Sequence, residues 1–139
     1  MKEQLQAALA AEHAAIFGYG ALGPHLTGPG RIRALNAEQA HRDRRNALAA
    51  MLIKAQVEPV PAEPAYALPF PVEDRASAMK LAIQLEERTG AAWRAVVPEV
   101  TAADRTLAIG ALTDCAVMAT RWRRALAPNA PATVAFPGV

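Results

Sequence analysis

The stretch "EPVPAEPAYALPFPV", residues 58–72, decides the topology of the chain, because it contains five of the eleven prolines. Proline lacks an amide hydrogen and fixes φ, so this stretch interrupts helices and favours an extended backbone. In polyproline form, at roughly 3.1 Å per residue, it would span about 45 Å. A helix of about 25 residues is roughly 37 Å long. The stretch is therefore predicted to be a linker that can run the full length of a helical bundle.

Apolar residues recur at helical spacing on both sides of this linker, in four stretches that cover approximately residues 2–26, 31–56, 72–97 and 102–127. The connection within each pair of helices is short, which forces antiparallel neighbours, and the long linker makes the second and third helices parallel. The predicted fold is all-α: a four-helix bundle of two antiparallel hairpins joined by a long Pro-rich crossover.

The chain of 139 residues is predicted to be one domain. Residues 1–127 form the bundle, with residues 58–72 as its crossover. Residues 128–139 form a Pro-rich C-terminal tail that packs along the surface or stays loose. Hydrophobic residues make up 53% of the chain and aromatic residues only 5%. Ala dominates the hydrophobic set, and this composition is typical of closely packed helices.

Charge and cysteine content limit the classes of partner that we expect. The net charge of +2 is far below the concentrated charge of nucleic-acid-binding proteins, so no nucleic-acid partner is expected. We find neither a transmembrane run nor a signal peptide, and Cys115 is the only cysteine. These features predict a cytoplasmic protein without a membrane partner. Ala-rich helices bury modest cores, which favours a homodimer.

Ionisable residues interrupt the apolar stripe of every predicted helix. The five that lie near the middle of their helices are Glu12, Glu38, His41, Glu86 and Asp114. The spacing Glu38-x-x-His41 places a carboxylate and an imidazole on the same face of one helix. Converging carboxylates with an imidazole suit iron or manganese. We therefore take these five residues as candidate metal ligands.

Five segments of the chain carry a resemblance to a known family: "LAAEHAAIFGYG", "AHRDRRNAL", "PAYALPFPV", "LEERTGAAW" and "AVMATRWRRAL". Together they resemble a bacterial ferritin-like family of unknown function, over nearly the whole chain. The crossover topology, with Glu12, Glu38-x-x-His41 and Glu86, resembles the wider ferritin-like superfamily. In di-iron members of such bundles, two helices each supply a Glu and the other two each supply Glu-x-x-His. The resemblance implies the fold and leaves the activity open.

The fourth helix departs from that pattern, because it reads Asp114-x-x-Val117 and valine cannot bind a metal. Arg45 follows His41 by one turn in the apolar stripe of the second helix, and the sequence leaves open whether its side chain turns into the core. There its permanent charge would offset the acids as a metal does. A simpler arrangement is also open, in which Glu38 forms an ordinary surface pair with Arg42, four residues later.

Two functions follow from these alternatives. The favoured hypothesis is a ferritin-like domain with a degenerate metal centre, a buried charge network and no cofactor, acting as a non-catalytic binding or structural module. The rival is an iron- or manganese-binding oxidoreductase or iron-handling protein that uses Glu12, Glu38, His41 and Glu86. We expect no catalytic residues under the first hypothesis, and a metal-dependent oxidoreductase if the protein is an enzyme.

Overall fold

The computed structural model describes residues 1–139, and its regular structure consists of four long helices and two short 3-10 helices. The long helices are α1 (Lys2–Leu22), α2 (Gly28–Lys54), α3 (Arg75–Val96) and α4 (Ala102–Leu126). The 3-10 helices, Gly23–His25 and Val97–Glu99, follow α1 and α3 directly. The chain has no strand, which confirms the predicted all-α class. No helix is both long enough and apolar enough to cross a membrane.

The helices pack as two hairpins. α1 packs on α2, α3 packs on α4, and α1 also packs on α3. Trp93 hydrogen-bonds to Glu12 while Tyr19 hydrogen-bonds to Glu86, so α1 and α3 run in opposite directions. Because α2 also runs opposite to α1, α2 and α3 are parallel. This is the predicted four-helix bundle with a crossover between the hairpins.

The crossover lies along α1. Gln6 Nε2 donates to Glu58 O at 2.6 Å, and the amide of Val60 donates back to Gln6 Oε1 at 2.8 Å. Two turns further along α1, His13 Nε2 lies 3.0 Å from Val60 O. The ring centroids of Phe17 on α1 and Tyr66 in the crossover are 5.6 Å apart. The prolines thus hold the linker extended while side chains of α1 satisfy part of its backbone.

Three predicted helix ends differ from the observed ones by several residues. α1 ends at Leu22 because the chain tightens into the 3-10 turn that contains Pro24. α2 begins at Gly28, since Pro29 is tolerated in a first helical turn. α3 begins only at Arg75, because Asp74 caps it: the amide of Ser77 donates to Asp74 Oδ1 at 2.8 Å, and the amide of Asp74 donates to Ser77 Oγ.

The core is divided into two apolar layers with a polar layer between them. The layer near the α1–α2 turn includes Tyr19, Leu22, Ala34, Met79 and Trp122. The layer at the opposite end includes Leu5, Leu9, Leu48, Leu52 and Trp93. The level between them along the helices is occupied by the buried residues Glu12, His41, Glu86 and Cys115. The middle of the bundle is therefore where buried polar chemistry is concentrated.

Candidate functional site

His41 lies at the centre of the polar layer and has no exposed surface. Its Nδ1 is 2.5 Å from Glu12 Oε2 on α1, and its Nε2 is 2.9 Å from Glu86 Oε1 on α3. One imidazole ring on α2 thus connects the carboxylates of two other helices. Both ring nitrogens are engaged, and neither is left free.

The two contacts determine the protonation state of this ring. A neutral imidazole has only one N–H donor, so it cannot donate to two carboxylates at once, whereas the imidazolium can. Burial would lower the pKa of His41, but the hydrogen bonds and charges of Glu12 and Glu86 raise it to about 9. His41 is therefore a buried cation at neutral pH.

Glu12 is also fully buried, and both of its oxygens are satisfied. Oε2 accepts from His41. Oε1 accepts from Trp93 Nε1 at 2.7 Å and from Arg44 Nε at 3.1 Å. Donors from α2 and α3 therefore converge on a carboxylate of α1, which is the arrangement that makes a buried carboxylate tolerable.

Arg44 supplies the second cation of the layer, with only 12% of its side chain exposed. Besides Glu12, it reaches α4, where its Nη1 is 3.8 Å from Asp114 Oδ2 and its Nη2 is 3.9 Å from Cys115 Sγ. Nη2 also lies 3.2 Å from His41 Nδ1. Both of these nitrogens are donors, and their repulsion is offset because both side chains contact the carboxylate of Glu12. Two buried carboxylates thus face two cations, and the charge of the layer is balanced.

Glu86 differs from Glu12 because only one of its oxygens has partners. Oε1 accepts from His41 and from the hydroxyl of Tyr19 at 2.6 Å, and Tyr19 in turn accepts from Trp122 Nε1 at 3.0 Å. Oε2 is buried and has no hydrogen-bond partner. Burial would raise the pKa of Glu86, but the His41 charge and the bonds from His41 and Tyr19 hold that pKa below its usual value. Glu86 is therefore an ionised carboxylate with one free acceptor.

Three of the five candidate ligands meet in this layer, and two do not. Glu38 lies at the helix flank and accepts from Arg42 Nη2 at 2.9 Å, which is the surface pair left open from the sequence. The side chain of Asp114 is 72% exposed. The expected convergence is wrong for both residues, because Ala37 and Cys115 take the buried positions next to them. Val117 is exposed as well.

Arg45, whose direction the sequence left open, does not turn into the core. Arg45 is half-buried at the surface, where its Nε donates to Asn46 Oδ1 at 3.1 Å. The two flanks of His41 on α2 differ: Arg45 faces α1 and the crossover near Pro59, whereas Arg44 faces the opening between α2 and α4. Arg44 therefore reaches the polar layer from the side of α4, where it contacts Glu12.

Several members of the network were not identified from the sequence as polar partners. Tyr19, Trp93 and Trp122 lie in the apolar stripes of their helices, yet each donates a hydrogen bond in the core. In a chain with so few aromatic residues, two tryptophans and a tyrosine at inward positions were a usable signal. Buried Trp N–H and Tyr O–H groups usually find acceptors, and the inward acids are the nearest ones.

The donor set of this layer does not match a di-iron centre. No group of three or more His, Cys, Asp or Glu side chains is arranged to hold a metal ion. His41 lies between Glu12 and Glu86 with both nitrogens turned toward carboxylates, whereas a metal needs the lone pair of a neutral imidazole. α4 offers the layer Cys115, whose thiol pKa is raised well above its usual value by burial and by Glu86.

Comparison with known proteins places the chain in a family. Residues 4–139 match the model of a family described as a domain of unknown function, DUF4439. A solved structure, that of a conserved hypothetical protein, rv2844, from Mycobacterium tuberculosis, is similar, with 43% sequence identity and a TM-score of 0.83. The match covers 89% of this chain and 95% of that one. No protein with a curated description matches. The chain therefore belongs to the DUF4439 family.

Proposed function

We propose that this chain is a ferritin-like four-helix bundle in which an internal charge network takes the place of a metal centre, and that it acts as a non-catalytic binding or structural module. The observation that carries this proposal is the position of His41, whose two ring nitrogens contact one carboxylate each. The family match assigns no role, so the proposal depends on the chemistry of this layer.

The charges of the layer support the proposal. Buried carboxylates need positive charge nearby, which metal ions provide in a di-iron bundle. Here the imidazolium of His41 and the guanidinium of Arg44 provide it, and both contact Glu12 directly. A divalent cation entering the same layer would meet two positive groups at close range. It would have to displace the His41 proton or expel Arg44, and both changes are unfavourable in a medium of low dielectric constant.

The rival function, an iron- or manganese-binding oxidoreductase or iron-handling protein, requires more rearrangement. Glu38 would have to leave Arg42 and turn into the core, and His41 would have to lose a proton. α4 would contribute only a thiol and an exposed Asp114 in place of a second Glu-x-x-His. The rival therefore makes a distinct prediction about metal content.

Metal analysis after loading tests the proposal. The protein is purified without chelator, incubated anaerobically with ferrous iron or with Mn²⁺, desalted, and measured by plasma mass spectrometry. We expect less than about 0.1 metal ion per chain, because both nitrogens of His41 are already bonded. In parallel, ¹⁵N NMR of the histidine side chains at about pH 7 should show both nitrogens of His41 protonated.

Two variants make the metal result decisive. Glu12→Gln removes a charge from the layer, and Glu38→Ala removes the surface acid that the rival needs as a ligand. About one metal ion per wild-type chain, lost in both variants, would overturn the proposal and establish the rival. A wild-type chain without metal, together with a protonated His41, would support the network.

We also propose that the protein forms a homodimer. Apolar side chains remain exposed on α2 and α4: Ile32 and Leu35 on α2, and Leu107, Ile109 and Val117 on α4. A second copy would bury them. Sedimentation velocity at several concentrations checks this, and a monomer at all concentrations would contradict it.

A further inference from the structure

A cavity of about 430 Å³ lies between α3, α4 and the segment that follows α4. This volume is in the range of about 300–1,000 Å³ that is usual for small-molecule sites. Arg123 Nη1 donates to Ala132 O at 3.2 Å, which ties the segment to the last turn of α4. Near the chain end, Gly138 has a φ of +83° and lies against α3, where an added Cβ would be 3.2 Å from Gly90 O. The segment is therefore a wall of the cavity that is held at both ends.

The lining of the cavity along α4 changes from apolar to basic. Leu112 and Ala116 lie in the middle of the helix, whereas Arg121 and Arg124 lie in its last two turns. The rise along the helix from Leu112 to Arg121 is about 14 Å. The C-terminal segment adds the apolar side chain of Val134. An elongated ligand would therefore meet an apolar surface along one part of its length and guanidinium groups along another.

The charge that the cavity offers to a ligand is positive. Both acids of its lining already have positive partners, because Glu86 contacts His41 and Glu87 forms an ion pair with Arg123. The other charged side chains of the lining are exposed and have no ion-pair or hydrogen-bond partner: Arg121 and Arg124. Two guanidinium groups are therefore left without an opposite charge, next to an apolar wall.

The hydroxyl groups of α4 in the lining are already engaged within the helix. Thr113 Oγ1 donates to Ile109 O at 2.8 Å, and Thr120 Oγ1 donates to Ala116 O at 2.9 Å. The donors that α4 leaves free for a ligand are therefore those of its unpaired guanidinium groups. A guanidinium presents paired N–H groups that match the two oxygens of a carboxylate.

We propose that this cavity binds an amphipathic carboxylate, an elongated molecule whose apolar body lies against the apolar part of the wall and whose carboxylate contacts Arg121 and Arg124. One negative charge suits the site better than the two of a phosphate monoester, because Glu86 and Glu87 also line the cavity. The inference rests on the proposed function, since it names the class of ligand that the binding module takes.

One eight-carbon chain with three different head groups tests the charge of the site. Octanoate is negative, 1-octanol is neutral and octylammonium is positive. Each is titrated into ¹⁵N-labelled full-length protein at about pH 7 and followed by amide chemical shifts. We expect octanoate to shift amides around Ala116, Arg121 and Val134.

The order of the three affinities is the main result. Octanoate should bind at least about fivefold more tightly than 1-octanol, as expected for two ion pairs at the protein surface. Octylammonium should bind most weakly, because the unpaired guanidinium groups repel it. The preference for octanoate should shrink when NaCl is raised to about 0.5 M, since salt screens exposed charges.

Substitutions locate the two parts of the site. Arg121→Gln and Arg124→Gln in one chain should lower the affinity for octanoate to that for 1-octanol. Arg88→Gln, at an exposed arginine of α3 outside the cavity, is the control and should change neither affinity. Ala116→Phe fills the apolar part and is expected to abolish the binding of both probes, whereas Ala103→Phe, at an exposed position of α4 outside the cavity, should not. If Ala116→Phe fails to fold, the arginine variants and the three probes still decide.

Four outcomes would overturn this inference: no binding of octanoate, binding of 1-octanol or octylammonium that is as tight, octanoate binding that is unchanged in the double arginine variant, or binding that survives Ala116→Phe. The metal measurement separates this failure from failure of the proposed function. A chain that binds neither metal nor octanoate loses only the ligand site. A chain that binds metal at Glu12 and Glu86 loses the proposed function, whatever the octanoate titration shows.

Discussion

The two helical hairpins meet at the same level of the bundle and contribute different chemistry to it. The first hairpin, α1 and α2, supplies three of the four buried charges: Glu12, His41 and Arg44. The second, α3 and α4, supplies one charge, Glu86, together with the neutral N–H donors of Trp93 and Trp122. The first hairpin therefore provides most of the charge, and the second provides most of the neutral hydrogen bonds.

Because the layer is an ion-pair network, the two hairpins do not have to supply matching groups to it. A di-iron centre requires both hairpins to supply a carboxylate and an imidazole. An ion-pair network requires only that each buried charge has opposite charge and donors nearby. Trp93 orients Glu12, and Trp122 orients Glu86 through Tyr19, so the second hairpin fixes the positions of acids that the first hairpin largely neutralises.

The largest effect is expected from removing the shared cation. His41→Leu has a similar volume but leaves Glu12 and Glu86 facing each other without a bridge. Breaking a buried ion pair by deleting one partner costs about 3–5 kcal/mol. The free energy of unfolding in urea at about pH 6.5 measures this loss. His25→Leu, at an exposed histidine, is the control and should change it by less than about 0.5 kcal/mol. Equal losses in both variants would contradict a central role for His41.

A pH titration tests the same cation without mutation. The pKa of His41 is raised from 6.5 in the unfolded chain to about 9 in the folded protein, so its contribution is complete below about pH 6.5 and is lost as pH rises through 9. A shift of this size corresponds to about 3 kcal/mol. Glu86, with a lowered pKa, contributes above its ordinary value of 4.5 and loses that contribution as pH falls. Both contributions are complete between about pH 4.5 and pH 6.5, so the layer is most stable in that range.

The measurement is the difference in unfolding free energy between wild type and His41→Leu at each pH. This difference should narrow steadily from about pH 6.5 to 9. Cys115 and Tyr19 have pKa values raised by burial, so their own losses begin only near their ordinary values of 9 and 10 and are common to both proteins. A difference that stays constant over this range would mean that His41 is neutral in the folded protein.

The fold could be predicted because its determinants are local and strong. Five prolines in residues 58–72 exclude a helix there, and the length of that stretch allows only a crossover along the bundle. Helix ends were less predictable, since they depend on single interactions. The cap formed by Asp74 and Ser77 delays the start of α3, and Pro24 ends α1 early by favouring a tighter turn.

The site was only partly predictable, because helical periodicity gives the average face of a helix but not the spaces beside it. The periodicity correctly placed Glu12, His41 and Glu86 on inward faces at one level. It favoured Arg45 over Arg44, yet the opening between α2 and α4 lies on the Arg44 side. Glu38 and Asp114 fall at the edges of their stripes, where small residues beside them pack inward and a charged side chain turns to water.

A pair of neighbouring arginines tests that distinction. Arg44→Leu removes a largely buried guanidinium from Glu12 and should lower the unfolding free energy by about 2 kcal/mol, as expected for loss of a charged hydrogen bond. Arg45→Leu should change it by less than about 0.5 kcal/mol, because its side chain bonds only to exposed Asn46. Thermal or urea unfolding of the two variants compares them directly, and the reverse order of losses would place Arg45 in the core.

The smallest expected effect separates the two tryptophans of the second hairpin. Trp93→Phe and Trp122→Phe each remove an indole N–H from a fully buried side chain, so they share a similar packing loss. They differ in acceptor, because Trp93 donates to the carboxylate of Glu12 and Trp122 donates to the neutral hydroxyl of Tyr19.

Hydrogen bonds to charged groups contribute more to stability than neutral ones, so Trp93→Phe should lower the free energy of unfolding in urea by about 1 kcal/mol more than Trp122→Phe does. Arg33 stacks on Trp122, and a phenylalanine ring keeps a face for that contact. Equal losses would mean that Glu12 is already satisfied by His41 and Arg44, and that the second hairpin contributes packing alone.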